Sequence, residues 1–237
     1  MLTSISNFGN NAAGLEKALR LAQALCTIGA SLAATVEERG PWLVARGQFN
    51  LSRRFFRLHK WIDHFSLAAE KLNNTKAEEN VIGKLLEVTK NGFLGVYFFM
   101  EMGTITNVMG LTCPSWGPHI LLESQKFWFY AIVTSLLSSF HQLLFAPAPI
   151  QTATPTTVTG KSSEKASPVS SRSNTDVYRQ ILIDGCDLFV PGAAVGWIPI
   201  ESLSVGLFMS VSSVLAMGSM WPKIQAQVNA AGAKKVK

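Results

Sequence analysis

Three features of the 237-residue sequence predict an all-α integral membrane protein with amphipathic N-terminal helices and about two transmembrane helices. Only 15% of the residues are charged, against about 25% in an average soluble domain, while 48% are hydrophobic and the mean hydropathy is +0.22. Phe127–Phe145 and Ser202–Trp221 run for 19 and 20 residues without Asp, Glu, Lys or Arg, about the length that crosses a hydrocarbon core. Ahead of both runs, QFNLSRRFFRLHKWIDHFSLAAEKL (Gln48–Leu72) carries apolar residues at alternating four and three spacing, the mark of one helical face.

The first 90 residues are predicted as an amphipathic, membrane-surface region. Leu15–Leu32 reads as a first helix with Leu15, Leu19, Ala22, Cys26 and Ile28 broadly on one face, and Gly40 and Pro41 are expected to break the chain after it. Asn50 is placed to cap the next helix, in which Leu51, Phe55, Leu58, Ile62, Phe65, Ala69 and Leu72 share a face. Arg53, Arg57, Lys60, His64 and Lys71 lie opposite, with Arg54 and Trp61 on a flank, whereas Phe56 and Leu67 interrupt the pattern. An ordinary surface helix packed on protein has this pattern too. With the apolar runs downstream, the reading is a helix in the bilayer plane, its membrane-binding set being Arg53, Arg54, Phe55, Arg57, Leu58, Lys60, Trp61, Ile62 and Phe65.

Residues 91–145 form apolar helices including a span. Gly92–Leu111, with its single charge at Glu101, leaves open a third crossing, and aromatics crowd the start of Phe127–Phe145 as in an interfacial belt. Residues 146–175, rich in Ser, Thr, Pro and Ala, read as a disordered linker. Residues 176–222 hold a helix and the C-terminal span, and 223–237 a basic tail. Ser202, Gly206, Ser210 and Gly218, at multiples of four, are the predicted helix-packing surface. By the positive-inside rule Lys223 and the lysines beyond it put the C-terminus in the cytosol, and two spans return the N-terminus there.

A net charge of +6 and a pI near 9.3 call for an anionic partner. An anionic phospholipid membrane suits the uncharged runs, and no nucleic acid is expected, since no binding motif accompanies the charge. Cys26, Cys113 and Cys186 are odd in number and far apart, which suggests buried thiols rather than a disulfide framework. No signal-peptide pattern opens the chain and its end is not of the SKL type. An enzyme is not expected: there is no P-loop, GxSxG, HExxH or metal-spaced Cys/His set, and no metal or cofactor is predicted. Glu101, His141 and Glu201 would line a polar path if the protein were an oligomeric pore. Asn50-Leu51-Ser52 and Asn73-Asn74-Thr75 are glycosylation sequons, and both are expected bare on the cytosolic side.

The stretch FNLSRRFFRLHKWIDHF resembles the basic, aromatic motif of the peroxin-11 family of peroxisomal membrane proteins, with Ser52, Arg53, Arg54, Phe56, Arg57, Leu58 and Lys60 in the matching places. His59 stands where that family commonly has glycine, and the change is expected to straighten the helix. A second likeness is YRQILIDGCDLFVPGAAVGWIPI, carried by Asp187, Leu188, Gly196 and Trp197. The variable linker and His59 suggest a divergent fungal or gamma-type branch. The resemblance implies a peroxisomal membrane protein that elongates the organelle and promotes its fission and proliferation. It also implies a homo-oligomer that works with fission machinery including a dynamin-like GTPase. The alternative it leaves open is an oligomeric pore or metabolite channel.

Overall fold

Hydrogen-bonded caps start and stop the helices at places the sequence marks. The computed structural model describes residues 2–73, 81–145 and 174–235. Asn11 accepts from Ala13 N and Gly14 N, which separates α1 (Leu2–Asn10) from α2 (Ala12–Leu32). Thr35 caps α3 (Val36–Phe56) by accepting from Glu38 N, and the Glu38 carboxylate accepts from Ala34 N, close to a capping box. The chain continues through α4 (Lys60–Asn73), α5 (Val81–Gly103), the short α6 (Ile105–Val108) and α7 (Gly117–Phe145). Gly196, with φ +81°, ends α8 (Asn174–Val195): Trp197 N donates to the Gly192 carbonyl in a Schellman-like closure. Last comes α9 (Ser202–Lys235). Every regular element among the described residues is helical.

Neighbouring helices form a continuous series: α4 packs on α5, α5 on α7, α7 on α8, α8 on α9, α9 on α2, and α2 on α3. Arg54 of α3 and Arg57 of the turn after it reach Glu101 of α5, across the series. The interior is small and polar. The bulkiest side chains shielded completely are Thr104, Pro191, Ser124, Ser212 and Ser213. Leu137, Phe140 and Leu144 of α7 and Leu207, Val211 and Val214 of α9 face outward. That is the reverse of a water-soluble core and suits lipid as the outer solvent. The buried hydroxyls bond to their own helix, Thr134 to the Tyr130 carbonyl at 2.7 Å and Ser213 to the Met209 carbonyl at 2.6 Å. They therefore need no partner across the interface and allow close helix approach. Gly117–Phe145 and Ser202–Ala230 are long and apolar enough to cross a bilayer.

Several sequence expectations change here. Gly40 and Pro41 do not break the chain. Pro41 lies inside α3 on an exposed side, where losing one hydrogen bond near the helix start is tolerated. Asn50 is mid-helix, and Thr35 caps instead. Residues 48–72 are not one straight helix: α3 ends at Phe56 and α4 begins at Lys60, across a turn of tight i→i+3 bonds such as Leu58 N to the Phe55 carbonyl. The turn lets α3 stay on α2 while α4 crosses to α5, and tertiary contacts override a local sequence free of glycine and proline. Phe127 is not where the middle span starts, since α7 begins ten residues earlier. Gly92–Leu111 is likewise divided, because α5 ends at Gly103. Cys113 is exposed, whereas Cys26 is buried. The basic tail is helical through Lys235. The predicted linker lies outside the described residues except at Asn174 and Thr175, which open α8.

Only one predicted packing residue of α9 sits at a close approach. A Cβ on Gly206 would lie 2.8 Å from Ile28 Cγ1 and 3.3 Å from the Ala24 carbonyl oxygen, so glycine is needed where α9 meets α2. Ser210 is half-buried and bonds to the Gly206 carbonyl, while Ser202 and Gly218 are exposed. Each step of four drifts about 40° around a helix, so Ser202 and Gly218 stand on nearly opposite sides. The buried stripe is instead Gly206, Met209, Ser213 and Ala216.

Candidate functional site: a buried arginine cluster

The arginines of the basic motif turn inward. Arg53 and Arg54 are each 5% exposed, and both sit in the last turn of α3. Arg53 Nε donates to Glu16 Oε1 at 3.0 Å and its Nη1 donates to Gln23 Oε1 at 2.6 Å. Arg57, at the turn, donates from Nη2 to Glu101 Oε1 at 2.8 Å and lies over the Phe98 ring. Tyr97 also donates to Glu101, at 3.2 Å, and its ring stacks on Trp128. Arg20 grips Asp187 with both Nη atoms, at 2.9 and 2.5 Å. This joins α2 to α8 by the bidentate geometry that guanidinium and carboxylate share.

Charges buried this way survive only when paired, and the pairing shows in their proton affinities. Burial alone would raise the Glu16 carboxyl, but Lys17, Arg53 and Arg57 outweigh it and lower the group from 4.5 to about 2. Burial, with Arg57 beside it, pushes Arg53 down to about 10, still charged at neutral pH. Burial is also the largest influence on Tyr97, raising it to about 12, so its hydroxyl stays a donor.

The predicted membrane-binding residues therefore divide. Arg53, Arg54 and Arg57 form the cluster and do not line an outward basic face; a guanidinium within reach of buried Glu16 or Glu101 gains more from that ion pair than from water. Leu58 is half-buried at the turn. Trp61 meets Phe65 and Phe99 edge-on, fixing α4 to α5, and Phe65 fills the space that Gly95 leaves open. Phe55 and Ile62 are exposed, as is Lys60. Phe56, which interrupts the sequence pattern, is exposed as well. Glu101 belongs to the cluster, Glu201 is exposed ahead of α9, and the His141 ring rests against Phe145.

Glu16, Arg20, Tyr97 and Trp128 were not singled out from the sequence. Glu16 and Arg20 are four apart, a spacing usual for a solvent-exposed ion pair. The signal was their position inside an otherwise apolar helix. The cluster also brings together residues far apart in the chain: Arg53, Arg54 and Arg57 come from the SRRFFRLHK stretch and Asp187 from the IDGCDLFVPG stretch. Gly196 supplies the left-handed cap, and Trp197 packs on Phe129 and Tyr130.

A family model for peroxisomal biogenesis factor 11 (PEX11) matches residues 2–221. The chain belongs to the PEX11 family. Among curated proteins it is similar to the peroxisomal membrane protein PMP27 of Saccharomyces cerevisiae, 25% identical across 93% of this chain and 94% of that one. No solved structure matches. PEX11 membership makes this a protein of the peroxisomal membrane whose function lies in peroxisome proliferation and division. PEX11 is a family of membrane biogenesis factors, not a known enzyme family.

Proposed function

We propose that this PEX11 protein elongates the peroxisomal membrane, and so promotes fission, by seating exposed apolar side chains of α3 and α4 in one leaflet. The supporting observation is exposure: Phe55, Ile62 and Leu72 are 50%, 43% and 59% exposed, while Arg53 and Arg54 just before them are buried. Lipid displaced on one side of a bilayer expands that leaflet and favours curvature. Lys60 lies beside this surface, where an ammonium meets anionic headgroups. Trp61 and Phe65 hold α4 on α5, and α5 packs on the span α7, so the wedge sits at a fixed position relative to the membrane-crossing helices.

Further parts of the proposal rest on the sequence. Both termini are cytosolic, copies self-associate to concentrate their wedges, and a dynamin-like GTPase completes the division. The test uses the full-length protein in anionic vesicles imaged by electron microscopy, wild type against a triple variant Phe55→Ser, Ile62→Ser, Leu72→Ser. Tubules should form with wild type and vanish with the variant, whose helicity and Tm remain near wild type because all three side chains face outward. Undiminished tubulation by the variant would refute the wedge. Ion flux without tubulation in either sample would support the oligomeric pore instead.

A further inference from the structure

Arg54 hydrogen-bonds to none of the described residues. It is 5% exposed, yet neither its Nε nor its Nη1 makes a hydrogen bond. Its nearest carboxylate oxygen, Glu101 Oε1, is 3.6 Å from Nε and already accepts from Arg57 and Tyr97. The other arginines of the cluster each hydrogen-bond a carboxylate, Arg20 that of Asp187, Arg53 that of Glu16 and Arg57 that of Glu101, although the Nε of Arg20 and of Arg57 has no partner either. Four arginines against three carboxylates leave one positive charge, and Lys17, sharing Glu16 with Arg53, adds a second.

Arg54 lines a cavity of about 370 Å³, together with Arg53, Arg57, Asn50, Tyr97 and Glu101, whose carboxylate Arg57 holds. The remaining wall is partly apolar. Leu121 and Trp128 come from the span α7 and Met209 from the span α9, so the cavity adjoins the membrane-crossing helices. Its volume falls in the range of small-molecule sites, about 300–1,000 Å³, and such sites combine apolar walls with a few convergent polar groups.

We propose that this cavity binds a phosphate monoester, with Arg54 as its principal ligand. A surplus of one to two positive charges matches the charge of about −1.5 to −2 that a monoester carries near neutral pH. A guanidinium whose Nε and Nη1 make no hydrogen bond keeps donors on two of its edges for phosphate oxygens, and charge-assisted bonds of this kind are the strong ones. The phosphate can come from a lipid headgroup, with its acyl part along the apolar wall, or from a soluble ester. This site is separate from the outward wedge of α3 and α4 and does not depend on it.

The test measures thermal unfolding of the full-length protein in detergent with dihexanoyl phosphatidic acid, glycerol 3-phosphate or uncharged dihexanoylglycerol. A phosphate site predicts a Tm rise of about 5–10 °C at a hundredfold excess over Kd, growing with the logarithm of ligand concentration. A rise with the lipid alone identifies a headgroup site, and a rise with both phosphates a soluble-ester site. The rise should be lost in Arg54→Met, which without ligand unfolds no lower than wild type because it removes an unmatched buried charge. Leu121→Trp, which fills the cavity and leaves every arginine in place, should also abolish it and covers the case in which Arg54→Met does not fold. Absence of any rise in wild type, an equal rise with dihexanoylglycerol, or an undiminished rise in a folded Arg54→Met would overturn the proposal.

Discussion

Glu16 concentrates the electrostatics of this protein in one carboxylate. It serves both Lys17 and Arg53 while lying on the buried face of α2. Its folded-state value of about 2 is below the ordinary 4.5. A lowered carboxylate contributes stability that is fully present above 4.5 and lost as pH falls towards 2. The 2.5-unit difference corresponds to about 3 kcal/mol. Thermal unfolding in detergent should therefore show wild-type Tm dropping between pH 4.5 and 2, and a visibly flatter profile for Glu16→Gln across the same window. Parallel profiles would mean that Glu16 is not the group responsible. Arg20 and Asp187 depend on each other, since either would be an uncompensated buried charge without its partner.

Between elements, glycine position decides how closely helices approach. Gly206 and Gly218 are both in α9, but only Gly206 lies against another helix. Gly206→Val should force α9 away from α2 and cost about 1–3 kcal/mol, the usual range for overpacking. Gly218→Ala has nothing within 4 Å of the new Cβ and should stabilise by about 0.5–1 kcal/mol through helix propensity. Unfolding midpoints of the two variants separate these cases; equal shifts would show that the α2–α9 contact tolerates a side chain. The turn between α3 and α4 shows the converse, an element boundary set by neighbours. Nothing local in Arg57-Leu58-His59 ends a helix, but ion pairs of Arg53 to α2 and of Arg57 to α5 hold the two helices on different partners.

At the scale of the whole molecule, the two spans turn large apolar side chains outward while a charge cluster is buried inside. An even number of crossings places both ends on one side, and the lysines towards the C-terminal end of the chain favour the cytosol. Epitope tags at either end should be digested by protease added to intact peroxisomes. Protection of one end alone would require an odd number of crossings, and protection of both would reverse the orientation.

The sequence by itself determined helical class, the two long apolar stretches and the family resemblance, because length, charge depletion and motif order are properties of the linear chain. It also marked Phe55 and Ile62, whose exposure agrees with their place on an apolar face. It misassigned the arginines, because helical periodicity separates polar from apolar faces but does not say which face meets protein and which meets solvent. In a membrane protein that inference inverts: lipid accepts the apolar face, and the buried polar face finds partners inside. Only the tertiary structure decided that Glu16, Arg20, Arg53, Arg57, Glu101 and Asp187 pair across α2, α3, α5 and α8 and the intervening turn, because those partners are up to 167 residues apart. Only it left Arg54 without a hydrogen bond, 3.6 Å from a Glu101 Oε1 that Arg57 and Tyr97 already use.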